Sequence, residues 1–581
     1  MCRYLCPMSG GGIEIYDNMP CNSAELKRIM TAVCMSARTL YDVLAEAAQK
    51  YGEREFMIVG RRDEVATFRE LRDRADAFGR MLAALGIRPG DRIAISMTNR
   101  VDWVVAAYGA ARCGAVTVGV NTRLSPREIA HLLTLTRPSS WILEESFFGK
   151  VDATESIAPV IAAFRERAIA APTVLIRSDS GRKYPGTIDW QQSLKDFEDS
   201  PGLPPAADLV AQIGDGGHKE LSGAAVILST SGTTSTPKGV MLGHEGLIRL
   251  ACAVAEQQGL TPDQRFYTVG PFFHCSGYLH GLLANLVAGS TLFTSRRYTP
   301  EEAWDVFSQE RINVYHGSIV PLQEIALLPR FKKEKIASLT RAWYSAPATE
   351  MARLEDLLGT RMCEIYGLTE TGGNVSICHV SDPVEMRHDS DGRPHHGVEV
   401  SIVDPDTRKR VPDGTPGEIR VRGWNMMLGY FRDPTATAQA IDAEGWLHTG
   451  DQGVRLPHGF VKFLSRLKDV IRVGGENLSP LEVEEVLTAH PDVAEAVVVA
   501  APHARLNEVP VAFLVLRSGR SPSPAELEAH CRRQLANFKV PARFIFVDDL
   551  PRSNAVMRVQ KARLREMLAS DDAPPDPQGE P

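Results

Sequence analysis

Apolar residues recur along the first part of the chain at two alternating spacings. In residues 40–51 they stand three and four positions apart, which predicts an amphipathic helix. Residues 67–85 and 101–113 predict two more helices, whereas residues 91–96 and 115–120 are short apolar runs that predict buried strands. Alternation of helices with buried strands is typical of α/β folds with largely parallel sheets.

The pattern changes after about residue 465. Residues 481–489 and 524–535 predict helices, and residues 493–500 and 509–515 predict strands. A separate unit of about 100 residues is within the usual size of a domain. The predicted fold is therefore α/β, with a large N-terminal domain of parallel-rich sheets and helices and a small α+β C-terminal domain.

We divide the chain into four segments. An irregular extension covers residues 1–36, the N-terminal domain residues 37–467, and the C-terminal domain residues 468–568. Residues 569–581 are rich in Asp and Pro and predict a disordered tail. Neither a signal peptide nor a run of roughly 18 apolar residues is present, so we expect no integral membrane segment and a cytoplasmic location.

Composition limits the class of ligand. The 581 residues are 44% hydrophobic and 24% charged, and their net charge is −7. These values predict a globular chain with no general attraction for nucleic acids, so an acidic ligand would need local basic groups. The ten cysteines include no C-x-x-C pair, which speaks against a zinc site or a disulfide framework.

A segment dense in hydroxyl groups follows the predicted strand 224–228. Residues 229–240 read Ser-Thr-Ser-Gly-Thr-Thr-Ser-Thr-Pro-Lys-Gly-Val. Hydroxyls and backbone N–H groups bind oxyanions, glycine permits close approach, and Lys238 adds a charge that suits a polyphosphate. Similar clusters are often plain loops, and the usual P-loop pattern does not fit. The Pro-Lys-Gly ending nevertheless favours a phosphate-binding loop.

This segment resembles the ATP loop of the acyl-adenylate-forming enzymes, which include acyl-CoA synthetases, aryl-CoA ligases, firefly luciferase and peptide-synthetase adenylation domains. Ser235 departs from the family, which usually has Gly there. The resemblance implies that the following residues of the loop contact ATP: Thr230, Ser231, Gly232, Thr233, Thr234 and Lys238.

The sequence Tyr-Gly-Leu-Thr-Glu at residues 366–370 matches a second signature of the family. An aromatic ring can stack on adenine, a threonine hydroxyl can hold a phosphate, and a carboxylate can bind Mg²⁺. The resemblance implies these roles for Tyr366, Thr369 and Glu370 respectively. Glu364 stands where family members often place an amide near the adenine amino group.

Two motifs near the predicted domain boundary also match the family. The resemblance implies that Asp451, in Thr-Gly-Asp, accepts hydrogen bonds from the ribose hydroxyls and that Arg466 also reaches the ribose. Lys468 occupies the hinge about which the C-terminal domain of the family moves. Residues 427–430 match a structural segment to which we assign no chemistry.

Three further residues concern the acid and the thiol. His274 follows Pro-Phe-Phe and matches a family histidine that orients the carboxylate or gates entry of the thiol; a histidine satisfied inside the core is the alternative. Gly474 and Gly475 resemble the loop that approaches the pantetheine arm of CoA. A simple turn before the next helix is compatible with that role.

The last family motif contains the main departure. Its Gly-Lys lysine reaches the carboxylate and phosphate during adenylation. When the chain is matched on residues 559–561, Arg558 takes the place of that lysine and Met557 that of the glycine. The guanidinium keeps the positive charge and can bind oxyanions bidentately, but it does not reproduce the geometry of lysine.

The resemblance implies a two-step ligase that uses ATP, Mg²⁺ and CoA. A carboxylate attacks the α-phosphate of ATP, and a thiol then displaces AMP. Catalysis is assigned to Lys238, Thr369, Glu370, His274 and Arg558. An apolar pocket favours a fatty, aromatic or alicyclic acid as the small-molecule substrate. Two alternatives stay open: loading of a carrier protein, and a non-catalytic nucleotide-binding relative. A homodimer is also open.

Overall fold

The computed structural model describes most of the chain. The described residues are 38–147, 151–197, 200, 202–213, 219–229, 238–473, 476–503, 505–552 and 559–569. The predicted N-terminal extension lies outside them. So does the predicted tail, except that its first residue ends the helix Lys561–Ala569.

The two largest sheets are mostly parallel and confirm the predicted α/β class. One has eight strands in the spatial order Gly429–Tyr430, Gly239–Gly243, Ala224–Ser229, Val116–Gly119, Arg92–Ser96, Ser140–Glu144, Thr173–Arg177 and Ile188–Asp189. Its first three strands pair antiparallel and the remaining pairs are parallel.

The other large sheet has seven strands in the spatial order Arg361–Cys363, Arg341–Trp343, Val314–His316, Arg265–Thr268, Thr291–Thr294, Glu55–Val59 and Glu64–Thr67. Only the last strand is antiparallel to its neighbour. The carboxyl ends of parallel strands share one edge of a sheet, where α/β proteins bind their ligands. Residues 269–276, 317, 344–347 and 364–370 follow such strand ends directly.

Helices cover these sheets. They are Leu40–Tyr51, Phe68–Ala84, Val101–Arg112, Pro126–Thr136, Ile157–Glu166, Trp190–Asp196, Ala206–Ala211, His244–Gln257, Ala284–Ala288, Pro300–Gln309, Val320–Leu327, Ala348–Leu358, Val384–Asp389 and Pro434–Ala440. A π-helix, Ser276–Leu283, precedes Ala284–Ala288. Among the helices that the structure describes, none has both the length and the apolar character of a transmembrane segment.

Local caps set the ends of these helices. The Thr67 side chain accepts a hydrogen bond from the Glu70 amide, and the Glu70 side chain accepts one from the Thr67 amide. This reciprocal pair satisfies two amides that an uncapped helix would leave unpaired. The helix predicted over residues 67–85 therefore begins at Phe68, and Leu85 becomes its C-terminal cap.

Smaller antiparallel sheets follow the parallel ones. A three-stranded sheet contains Ile365–Tyr366, Ser376–Ile377 and Arg393–Pro394, and a four-stranded sheet contains Val398–Val403, Gly417–Gly423, Leu447–Arg455 and Val461–Arg466. A two-stranded ribbon joins Ser146–Phe147 to Val151–Asp152. The first two sheets carry Tyr366, Asp451 and Arg466, which the sequence assigns to the nucleoside.

The C-terminal unit has the predicted α+β character. Its sheet contains Glu476–Leu478, Ile471–Val473, Asn507–Leu516, Val493–His503 and Arg543–Phe546, and its helices are Pro480–Thr488, Pro524–Arg532 and Lys561–Ala569. It has a hydrophobic core of its own. The Ser479 hydroxyl donates to the Leu464 carbonyl at 2.7 Å, and Arg517 lies 3.8 Å from Glu350, so both contacts cross the predicted boundary.

Candidate active site

Lys238 and Glu370 are brought together by a tyrosine. Val240, two residues after Lys238, pairs with Tyr430 across antiparallel strands. The Lys238 ammonium consequently lies 4.6 Å from the centroid of the Tyr430 ring, a cation–π contact. The Tyr430 hydroxyl donates a hydrogen bond to Glu370 Oε1 at 2.8 Å. One aromatic side chain thus touches both the proposed phosphate ligand and the proposed metal ligand.

A short 3₁₀ turn, Thr369–Thr371, presents Thr369 and Glu370. The amide of Met427 donates to the Glu370 carbonyl at 2.7 Å, which holds this turn against the segment leading to Tyr430. Gly373 follows at a φ of +97°, and an added Cβ there would lie only 2.5 Å from Cys275 Cβ. The turn therefore packs directly on the segment that carries His274.

The buried side chain of Cys275 lies where the turn Thr369–Thr371 packs on the segment that carries His274. Burial, together with the nearby Glu370 carboxylate, raises the pKa of the Cys275 thiol to about 12. Thr369 hydrogen-bonds the same sulfur. A thiol that stays protonated is a poor nucleophile, so Cys275 serves here as a packing residue.

His274 stands immediately before the π-helix. The amide of Ser276 donates to His274 Nδ1 at 3.2 Å, and burial lowers the pKa of the imidazole below its usual value. The ring is therefore neutral at pH 7, and the geometry assigns its proton to Nε2. A neutral imidazole with Nε2–H can donate to a carboxylate oxygen, which is the role predicted for His274.

A second histidine lies behind this one. The Ser276 hydroxyl is 2.9 Å from His316 Nε2, and His316 Nδ1 is 2.8 Å from the Trp343 carbonyl. Because that carbonyl can only accept, His316 carries its proton on Nδ1 and accepts from Ser276 at Nε2. Burial lowers the pKa of His316 to about 3, so the arrangement stays neutral. This pair fixes the first residue of the π-helix, and no sequence motif predicted the contact.

Tyr366, Asp451 and Arg466 form a second group. The Tyr366 hydroxyl donates to Asp451 Oδ2 at 2.8 Å, and Arg466 Nε lies 2.8 Å from Asp451 Oδ1. Asp451 and Arg466 are register partners on neighbouring antiparallel strands. Phe463, on the same strand as Arg466, stacks on the Tyr366 ring with centroids 6.0 Å apart. The structure therefore brings together three residues that the sequence assigns to one nucleoside.

Glu364 is a buried carboxyl near a second buried carboxyl. Its Oε2 accepts from the Ala346 amide at 3.1 Å. Burial, together with the carboxyl of Asp391, raises the pKa of Glu364 well above its usual range. Burial also raises the pKa of Asp391 to about 7, while the Phe463 amide and Lys462 oppose that shift. A raised pKa favours the protonated form of Glu364, which, like an amide, can both donate and accept.

Several predicted site residues lie outside the described residues. They are Thr230, Ser231, Gly232, Thr233 and Thr234 of the loop, Gly474 and Gly475, and Arg558. Lys468 is described and lies in the 3₁₀ turn Leu467–Asp469, directly after the strand that ends with Arg466. Its place between the two units agrees with a hinge, and that role stays a prediction.

The residues present fit a magnesium nucleotide. A carboxylate has about four acceptor positions, so the Tyr366 and Arg466 contacts of Asp451 are compatible with ribose hydroxyls as further donors. In the described part of the chain, no three His, Cys, Asp or Glu side chains gather into a metal site. Mg²⁺ needs no such cage, because one or two carboxylates and the substrate phosphates hold it. Glu370 can supply the protein ligand.

Family models match both parts of the chain. Residues 44–431 match the model of the AMP-binding enzymes, and residues 482–555 match that of the AMP-binding enzyme C-terminal domain. The first match covers the loop, the Tyr-Gly-Leu-Thr-Glu motif and Tyr430. The second begins after Lys468, which agrees with the predicted order of domains.

Two curated relatives cover most of the chain. A dioxo-octahydroindenyl-propanoyl:CoA ligase of Rhodococcus jostii is 34% identical over 91% of this chain and 98% of its own. A fatty acid–acyl-carrier-protein ligase of Streptomyces coeruleorubidus, ScoC, is 32% identical over 87% of this chain and 92% of its own.

A solved structure shares the fold. ATP-bound MatB from Rhodopseudomonas palustris superposes with a TM-score of 0.77 at 27% identity, covering 91% of this chain and 98% of that one. The fold described above is therefore shared with that ATP-bound protein.

The buried carboxyl pair predicts how stability depends on pH. Because the pKa of Asp391 is raised above its ordinary value of 3.8, its proton favours the folded state, and this contribution is lost as pH rises from about 4 to about 7. We therefore compare the free energy of unfolding of Asp391→Asn with that of the parent. This difference should be about 1–3 kcal/mol more favourable to the variant at about pH 8 than at about pH 5. Urea unfolding at both pH values measures this difference.

The matched control is Asp406→Asn, which changes an exposed carboxylate in a surface turn. It should leave the pH dependence of unfolding unaltered. If the free energy of unfolding of Asp391→Asn changed with pH as that of the parent does between about pH 5 and about pH 8, Asp391 would not hold a proton in the folded protein.

Proposed function

This chain belongs to the family of AMP-binding enzymes, and we propose that it is an AMP-forming acyl-CoA ligase for a hydrophobic carboxylic acid. The Tyr430 bridge carries the proposal. It places the Lys238 ammonium and the Glu370 carboxylate on one aromatic side chain, beside Thr369. A cation, a metal ligand and a hydroxyl at one point are what a polyphosphate requires.

Adenylation is the first step. The acid's carboxylate attacks the α-phosphorus of ATP, the bond to the bridging oxygen breaks, and pyrophosphate leaves. Lys238 and Thr369 bind phosphate oxygens, and His274 donates Nε2–H to the carboxylate and orients it. Mg²⁺, when bound at Glu370, neutralises phosphate charge. Tyr366, Asp451 and Arg466 hold the nucleoside at a fixed distance from these groups.

Arg558 completes the charge balance of this step. The guanidinium, in place of the family's lysine, binds the carboxylate and the phosphate during adenylation. The C-terminal unit then turns about Lys468, which withdraws Arg558 and brings Gly474 and Gly475 toward the pantetheine arm. The CoA thiolate attacks the acyl carbon of the mixed anhydride, and AMP departs with the bonding electrons.

The acid is hydrophobic. The segments after the parallel strands contribute Phe273 and Tyr278, which are buried, and Ile365, which is half-buried. No basic side chain stands among residues 273–278 or 344–347 apart from the neutral His274. A fatty, aromatic or alicyclic monocarboxylate suits these walls better than a dicarboxylate. We propose a cytoplasmic location, as the sequence leads us to expect.

Loading of a carrier protein is the second candidate, and the resemblance to ScoC favours it. Both candidates begin with the same adenylation, and they differ only in the thiol. Release of AMP that depends on free CoA, measured over fatty, cinnamic, benzoic and alicyclic acids, separates them. We expect CoA-dependent release with at least one of these acids. AMP release that occurs only with a phosphopantetheinyl carrier protein would overturn the CoA assignment.

Arg558→Ala should lower acid-dependent pyrophosphate exchange about 100-fold, because a charge that stabilises the transition state is removed. Arg558→Lys should recover part of this loss. Thioester formation from preformed acyl-AMP should change little in either variant. Arg563→Ala, in the exposed part of the following helix, is the control and should exchange pyrophosphate at the parent rate. Pyrophosphate exchange at the parent rate in Arg558→Ala would show that Arg558 does not act in adenylation.

Tyr430→Phe keeps the ring beneath Lys238 but removes the hydrogen bond to Glu370. We expect about tenfold slower adenylation and a higher Mg²⁺ requirement, because the carboxylate is no longer held in place. Initial rates over a Mg²⁺ series measure both effects. Tyr184→Phe removes a similar bond to Glu145, which lies outside the site, and is the matched control. An unchanged Mg²⁺ dependence in Tyr430→Phe would show that Tyr430 does not position Glu370.

A further inference from the structure

We propose that the exposed face around Leu327 docks on the headgroups of an anionic lipid bilayer. The surface consists of Val320, Leu327 and Leu357 with the basic segment 330–335, and we call it the Leu327 face. The inference deepens the proposed function, since a bilayer is a reservoir of hydrophobic acids. Binding to lipid can nevertheless be measured without ATP, acid or CoA.

Apolar side chains project from two neighbouring helices. Leu327, at the end of the helix Val320–Leu327, is 82% exposed, and Val320 is 47% exposed. These two residues are seven positions apart, so they lie on the same side of the helix. Leu357 of the helix Ala348–Leu358 is 37% exposed. A leucine so fully exposed loses the burial that ordinarily stabilises the side chain, which suggests a partner.

The following segment is held rigidly while its charges point outward. The Phe331 ring packs on Trp304 with centroids 5.7 Å apart, and Ile336 is buried. Four basic residues and one acidic residue flank Phe331 in the segment that leads to Ile336, and all five are exposed. They are Arg330, Lys332, Lys333, Glu334 and Lys335.

Contacts tie this basic segment to the second apolar helix. The Lys333 ammonium donates to the carbonyl of Asp356 at 2.9 Å, next to Leu357. Arg330 is paired with Asp305 at 3.0 Å. In the part of the chain that the structure describes, neither Lys332 nor Lys335 has an ion pair. The surface thus keeps a local excess of positive charge although the chain as a whole carries −7.

This combination favours lipid over a protein partner. Anchoring residues of protein interfaces are usually buried in a complementary pocket, and their surroundings exclude water. Isolated leucines among lysines are instead typical of surfaces that enter the interface of an anionic bilayer. Lysine side chains reach phosphate groups while their apolar stems lie along the membrane.

The Leu327 face also stands close to the acyl site along the chain. Its helix begins three residues after Gly317, which follows the strand that ends with His316, the partner of Ser276 beside His274. A bilayer that contacts this helix would therefore place dissolved acid near the wall of the pocket.

Co-sedimentation of the full chain with vesicles tests the inference. We expect binding to phosphatidylcholine vesicles that contain phosphatidylglycerol, little binding to pure phosphatidylcholine, and loss of binding at high salt. The double variant Lys332→Gln/Lys335→Gln should bind about 30-fold more weakly, because each basic residue near an anionic membrane strengthens binding by a similar factor of about five. Leu327→Ser should bind about tenfold more weakly. Thioester formation from a short, water-soluble acid should be unchanged in both.

Arg408→Gln/Lys409→Gln is the matched control, because it removes two exposed charges from a surface turn elsewhere. It should bind the vesicles as the parent does. Equal binding to both kinds of vesicle, or equal loss in the control, would overturn the inference. So would variants of the Leu327 face that keep vesicle binding but lose acyl transfer to an acidic carrier protein, since the face would then dock a protein. The vesicle-binding results do not depend on whether the chain forms acyl-CoA.

Discussion

The site depends on the antiparallel pairing of Val240 with Tyr430. The strand Gly239–Gly243 follows the phosphate-binding loop, whereas the strand Gly429–Tyr430 comes late in the sequence of the N-terminal domain. Their pairing therefore brings together two segments that are far apart in the chain. Through it, Lys238 contacts the Tyr430 ring and Tyr430 contacts Glu370. Slippage by one residue would turn Tyr430 to the other face of the sheet and separate the cation from the carboxylate.

Elements with clear periodicity could be predicted from the sequence, but their ends only in part. The helix Leu40–Tyr51 has the predicted bounds, because Thr39 and Asp42 form a capping box at its start. In the C-terminal unit the strand Val493–His503 is three residues longer than predicted. Its extension pairs residue by residue with the strand Asn507–Leu516, a cross-strand effect that a single segment does not reveal.

The sequence also indicated which residues share a ligand, but not what holds them. Tyr366, Asp451 and Arg466 meet as the family resemblance implied. Tyr430 was assigned no chemistry, because a tyrosine after glycine carries no signal until strand pairing sets it beside Lys238. Asp391 was missed for the same reason. Its carboxyl becomes unusual only when folding buries it near Glu364 and withdraws water from both groups.

The π-helix Ser276–Leu283 has a consequence for how such a pocket can change over time. Each helical residue advances the chain by about 100°, and a π-turn accommodates one residue more than an α-turn does. Deleting a single residue here would restore an ordinary α-helix while rotating everything before it, His274 included, by about that angle. During evolution, deletion of one codon could therefore change the direction of the His274 imidazole and leave the buried helix Ala284–Ala288 unaltered.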